Sequence, residues 1–153
     1  MKILDQNGLS GLVNGLLHLI LLGGAVIFVS LPWSVKWYMN VLPYESSENY
    51  AFLLAFFAIT GLFALTIVYE LIRIFRTLNR HDPFQWDNVH SLRKIAVASF
   101  LIAAGYIVKM IFFNSFLTVI LVMVFVIAGF FSIILAEVFR QAVIVKEEND
   151  LTI

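Results

Sequence analysis

Four long stretches of this chain carry no formal charge: residues 6–35, 49–69, 95–108 and 110–136. A helix needs about 20 predominantly apolar residues to cross the hydrocarbon of a bilayer. Few folds suit such a chain, because backbone N–H and C=O groups in lipid must be satisfied within the structure itself. Between the second and third stretches stands Glu70–Lys94, which holds half of the Lys and Arg of the chain: Arg73, Arg76, Arg80, Arg93 and Lys94. Composition points the same way. The chain is 61% hydrophobic and 13% charged, against about 45–50% and about 25% in soluble domains. A soluble core of this size cannot hide that much apolar surface. The pattern predicts an all-α integral membrane protein, a single domain of four transmembrane helices over 1–153.

The expected helices are 9–31, 50–72, 95–113 and 116–140, with a central loop at 73–94 and a tail at 143–153. The first apolar run is not read as a signal peptide: it is far longer than an h-region of about 7–15 residues and no small-x-small site closes it. It ends at Leu31-Pro32-Trp33. The loop that follows, 32–49, carries Trp33, Trp37, Tyr38 and Tyr44, which with Tyr50 just after it make the aromatic belt of a membrane surface. Pro32 there suits the start of a short interfacial helix and Pro43 its end. His81-Asp82-Pro83-Phe84 reads as a turn, since Asp82 precedes a proline and is biased away from helix. Gln85–Lys94 reads as a helical lead-in with Phe84 and Trp86 as interfacial anchors. Lys109 sits near the far end of the third helix, where its stem lets the ammonium snorkel outward. Asn114-Ser115 marks the turn of a tight hairpin.

Basic residues choose the side of the membrane. The central loop has five Lys/Arg and the first exit loop only Lys36. The central loop and both termini are therefore expected in the cytoplasm, in a multi-pass protein of the cell (bacterial inner) membrane.

Two internal patterns stand out. Asn7, Gly11, Asn14 and His18 share one face of the first helix, with Gly15 beside them. Gly11 and Gly15 have the GxxxG spacing that lets helices approach closely. This seam suits a partner helix, a small cavity or ordinary packing with His18 hydrogen-bonded inside. The second pattern is a repeat. Helix 2 ends in Glu70-Leu71-Ile72-Arg73 and helix 4 in Glu137-Val138-Phe139-Arg140, each an acid–base pair at i, i+3. Two parallel-repeated hairpins would join Glu70, Arg73, Glu137 and Arg140 in one four-charge cluster.

Catalytic signatures are missing. The histidines are His18, His81 and His90, and no HExxH, GxSxG, P-loop or GxGxxG occurs. The chain has no Cys, and no Asp falls within an expected span. Ten basic and ten acidic residues give a formal net charge of zero, so there is no electrostatic footprint for direct nucleic-acid binding. The expectation is a protein that is not an enzyme and carries no cofactor and no metal.

Two stretches resemble a bacterial membrane family. One is His81-Asp82-Pro83-Phe84 with Asn88 and Leu92-Arg93-Lys94-Ile95-Ala96, similar to a (G/N)-D/N-P-F…N…L-R-x-I-A signature. The other is the ending Leu135–Ala142 with Lys146–Ile153. The family is that of domain of unknown function 2975, and the resemblance in length and four-helix layout covers nearly the whole chain. This sequence departs from it in having His81 where small residues are usual. The resemblance brings no catalytic residues. It implies a regulatory partner, because members look to be encoded beside a small helix-turn-helix regulator.

The leading expectation is a non-enzymatic interaction or regulatory membrane protein. Its cytoplasmic face would dock a small cytosolic helix-turn-helix regulator through Arg76, Arg80, Pro83, Phe84, Trp86, Asn88, Arg93, Leu151 and Ile153. The tail packing on the basic loop is the competing reading of the same residues. Two other functions fit the sequence: a homo-oligomeric channel or transporter built around the helix 1 seam, and an immunity or stress factor against membrane-active peptides. The lipid bilayer is the one partner common to all three.

Overall fold

The computed structural model describes residues 8–41, 49–113 and 115–152; Asn7, Pro43, Tyr44, Asn114 and Ile153 lie outside them. Four helices follow in order: α1 Leu9–Val41, α2 Tyr50–Asn79, α3 Trp86–Phe112 and α4 Phe116–Leu151. Each is long and apolar enough to cross a membrane. The protein is all-α and multi-pass.

All four helices run further than their charge-free cores, α3 by starting at Trp86. α1 continues through Pro32 to Val41, so Pro32 opens no separate interfacial helix. A proline removes one i→i−4 bond, a loss that membrane helices tolerate when the freed groups are met locally. The carbonyl that Pro32 leaves without its helical donor is that of Phe28; beside it the Ser30 hydroxyl donates to the Ile27 carbonyl at 2.9 Å, and the Tyr50 hydroxyl to the Pro32 carbonyl at 3.3 Å. α2 runs on to Asn79. Arg73, Arg76 and Arg80 are spaced as on a helix, and cations in a last turn suit the helix dipole. The central loop thus shrinks from 73–94 to the residues between Asn79 and Trp86. The expected tail is helix as far as Leu151. Leaving the bilayer removes no intrahelical hydrogen bond, so a charged residue does not end a helix.

The helices pack in sequence: α1 on α2, α2 on α3, α3 on α4. α2 and α4 flank α3 without packing on each other. α3 is accordingly the most buried helix, through Val89, Leu92, Ile95, Ala96, Ala98, Ser99, Ile102 and Ala103. Ala and Ser on that surface let neighbouring backbones come close, as membrane interfaces require. At Gly129 the approach is tightest: a Cβ there would lie 2.8 Å from two Phe100 ring carbons. The outward faces carry large apolar side chains, such as Ile111, Phe116 and Leu22, which suit lipid.

Register follows from a few contacts. Ser10 donates to Asn79 at 2.7 Å, and a Cβ on Gly24 would meet Leu65 at 3.0 Å and one on Gly61 would meet Phe28 at 3.1 Å. These pairs share one antiparallel alignment, which sets Asn14 and His18 level with the Leu71–Arg76 stretch of α2. At the opposite end Lys36 lies 5.8 Å from the Tyr50 ring centre, and Lys109 lies 5.6 Å from those of Phe56 and Phe57. Between the two charged levels α2 is uncharged from Tyr50 to Tyr69, the length a bilayer core needs.

Candidate functional site: the charged end of the helices

The turn from α2 to α3 is held by one buried amide. Asn88 donates through Nδ2 to Thr77 Oγ1 and to the Pro83 carbonyl, both at 2.6 Å. Its side chain is spent on this staple and is 1% exposed, so Asn88 is no part of a docking surface. The turn also requires His81 to adopt φ 61°. Side chains other than Gly, Asn, Asp and His rarely enter that left-handed region. This explains why small residues suit the position in the related signature. Arg76 and Arg80 are exposed beside the turn, and Pro83 is half-buried in it.

α4 reaches past the level of the turn and clips onto it. Phe139 stacks edge-on against Phe84 with ring centres 5.5 Å apart. Lys146 donates to Asp82 at 2.7 Å, and the Trp86 indole donates to Glu147 at 2.9 Å. The Lys146 ammonium, followed by the amide of Gln85 at 2.6 Å, holds the Asp82 carboxyl below its ordinary range. The reading in which the tail packs on the loop therefore describes Phe84 and Trp86. Beside the clip, a shallow cleft of about 470 Å³ lies between Phe84 and the Gln141–Asn149 stretch of α4. Val145 at its edge and Leu151 beyond it are exposed, at 63% and 85%. The partners in each pair, Asp82 with Lys146 and Trp86 with Glu147, lie more than sixty residues apart in sequence, and no local pattern reveals the pairing.

The four-charge cluster does not form. Glu70 is buried, accepting from Ser91 at 2.6 Å with Arg73 at 3.3 Å and Lys94 at 3.4 Å. Glu137 is half exposed and bonds Arg140 at 2.6 Å and Gln141 at 3.2 Å on its own helix. α3 separates the two pairs. Identical spacing has produced an interhelical tie in one case and a surface pair in the other. Ser91 and Lys94 are the partners that sequence reasoning missed; Ser91 lies one turn beyond Asp87 and Asn88, which is the signal that a polar face continues into α3.

The α1 seam does not pack inside the protein. Gly11, Asn14, Gly15 and His18 are exposed, and open space surrounds the position of a Cβ on Gly15. His18 Nδ1 donates to the Asn14 carbonyl of its own helix at 2.8 Å. The side of α1 that faces α2 is instead Ser10, Gly24, Phe28 and Val35. Because Asn14 and His18 stand level with Arg73 and Arg76, they belong to the charged end and not to the middle of the span.

No curated protein and no solved structure gives a match to this chain. One family model does, over residues 19–153, and it takes in α2, α3 and α4 entire, with the Asn88 staple and the Asp82–Lys146 clip. The chain belongs to that family, described as Protein of unknown function (DUF2975).

Proposed function

We propose that this is a non-catalytic membrane protein whose charged end docks a cytosolic protein. The supporting observation is the end of α4. Eleven residues past Arg140, about 16 Å of helix, it still presents Val145 and Leu151 to solvent beside the Phe84 cleft. An exposed apolar edge on a helix pinned by two polar clips is a preformed docking surface, with little ordering cost on binding. Both termini and the Arg76–Arg80 turn lie in the cytoplasm in this reading, since five of the ten Lys and Arg cluster at Arg73–Lys94. A small helix-turn-helix regulator is the partner proposed.

The chain has no cysteine, so single cysteines at His81 and Trp33 report sidedness directly. A membrane-impermeant thiol reagent on whole cells should label W33C and spare H81C. Docking is tested by co-purifying the regulator with the intact protein, with Leu151→Asp and with Val145→Asp. Both variants should insert normally and lose the regulator. Retention by both removes the docking role.

A further inference from the structure

We propose that the groove between α2 and α3 is a binding site for one anionic phospholipid. It is distinct from the Phe84 cleft and encloses about 410 Å³. One end is lined by His90, Arg93 and Lys94 and the rest by Phe63, Val97 and Leu101 among others. The cations therefore stand at a single end, level with Glu70, and the apolar lining runs from there into the charge-free part of both helices.

The charge count at this level leaves a surplus where the groove opens. Glu70 is held by Arg73 and Ser91, and Glu137 by Arg140 and Gln141. Lys94 reaches Glu70 only at 3.4 Å with its side chain 57% exposed. Arg93 is exposed and forms no contact ion pair among the described residues; its charge acts on Glu137 only at longer range, behind the Arg140 and Gln141 contacts of that carboxylate. His90 donates its Nδ1–H to the Trp86 carbonyl at 2.6 Å, which fixes the ring as one wall. A phosphodiester fits the two cations, and the groove beyond them asks for hydrocarbon. Val97 and Leu101 follow Arg93 on one helical face, and Arg93 to Leu101 covers about 12 Å of helix, room for the upper part of an acyl chain. A free anion would leave that apolar length uncovered. An anionic lipid satisfies both halves, and basic pockets between membrane helices hold such headgroups.

The test is native mass spectrometry of the purified protein in mild detergent, titrated with phosphatidylglycerol or phosphatidylcholine of the same chain length. Wild type should retain one phosphatidylglycerol in preference to phosphatidylcholine. Each Lys or Arg near an anionic headgroup contributes about five-fold. R93Q/K94Q should therefore lose about 30-fold for phosphatidylglycerol, and R93Q alone, which leaves the Glu70 contacts intact, about five-fold. Leu101→Trp, which fills the groove and keeps both cations, should displace the lipid. Equal retention of the two lipids by wild type would overturn the proposal. So would an equal loss in R76Q/R80Q, which means diffuse attraction, or competition by inorganic phosphate as strong as by the lipid, which means a headgroup-free anion site.

Discussion

Glu70 and Glu137 occupy equivalent places in a repeated Glu-x-x-Arg pattern, yet their removal should have unequal consequences. Glu70→Ala strips the buried Ser91 hydroxyl of a charge-assisted acceptor at 2.6 Å, a loss of about 1.5–3 kcal/mol. Removing the one buried methylene that Ala lacks adds about 0.8 kcal/mol. The side chains of Arg73 and Lys94 are 39% and 57% exposed, so water takes over most of their charge and little is added for stranding them. The expected total is about 2–4 kcal/mol. Glu70→Gln keeps an acceptor for Ser91 and should cost roughly a third of that, the difference between a charged and a neutral hydrogen bond. Glu137→Ala removes an exposed pair within one helix and should leave stability unchanged. The assay is reversible unfolding by SDS in mixed micelles, followed by helical circular dichroism. Equal destabilisation by Glu70→Ala and Glu137→Ala would refute the assignment of Glu70 as the tie between α2 and α3.

Three further outcomes are expected. Gly129→Ala drives a methyl into the Phe100 ring and should cost about 1–3 kcal/mol, whereas Gly15→Ala, in open space, should be neutral or slightly stabilising; the same unfolding assay compares them. His81→Gly and His81→Asn relieve the left-handed φ and should match or exceed wild type by up to about 1 kcal/mol, while His81→Val should lose about 1–2 kcal/mol. Asp82 has a carboxyl held below its unfolded value of 3.8 by Lys146 and Gln85. Its contribution is then complete above pH 3.8 and is lost as pH falls through the depressed folded value. Trp86 fluorescence, with Trp33 and Trp37 replaced by Phe, should report release of the α4 clip on acidification below pH 3.8 and no change near neutrality. An unaltered acid transition in Asp82→Asn would assign it to another group.

The four spans were legible because a charge in hydrocarbon is costly enough to be excluded, so charge-free runs such as Tyr50–Tyr69 mark membrane depth directly. The His81–Phe84 turn was legible for a local reason too, the restriction that Pro83 places on Asp82. Helix ends were not. Arg73 and Lys146 look like boundaries in a hydropathy reading, but intrahelical bonds continue through them to Asn79 and Leu151. The polar face of α1 was visible as a pattern, yet its meaning depended on register. The α1–α2 alignment fixed by Ser10–Asn79, Gly24–Leu65 and Phe28–Gly61 shows that Asn14 and His18 sit among the arginines of α2.

The sequence by itself determined what each segment must be: a helix in lipid, a turn at a proline, a surplus of cations at one end. Those properties follow from each residue's own solvation and backbone freedom. Which residues meet was decided by tertiary structure alone. Because α3 lies between α2 and α4, Glu70 finds Ser91 and Lys94 on the neighbouring helix. Glu137 is left with its own helix, and Asp82 meets Lys146 from 64 residues away. Spacing along a chain cannot carry that information, since burial and pairing depend on how whole helices pack.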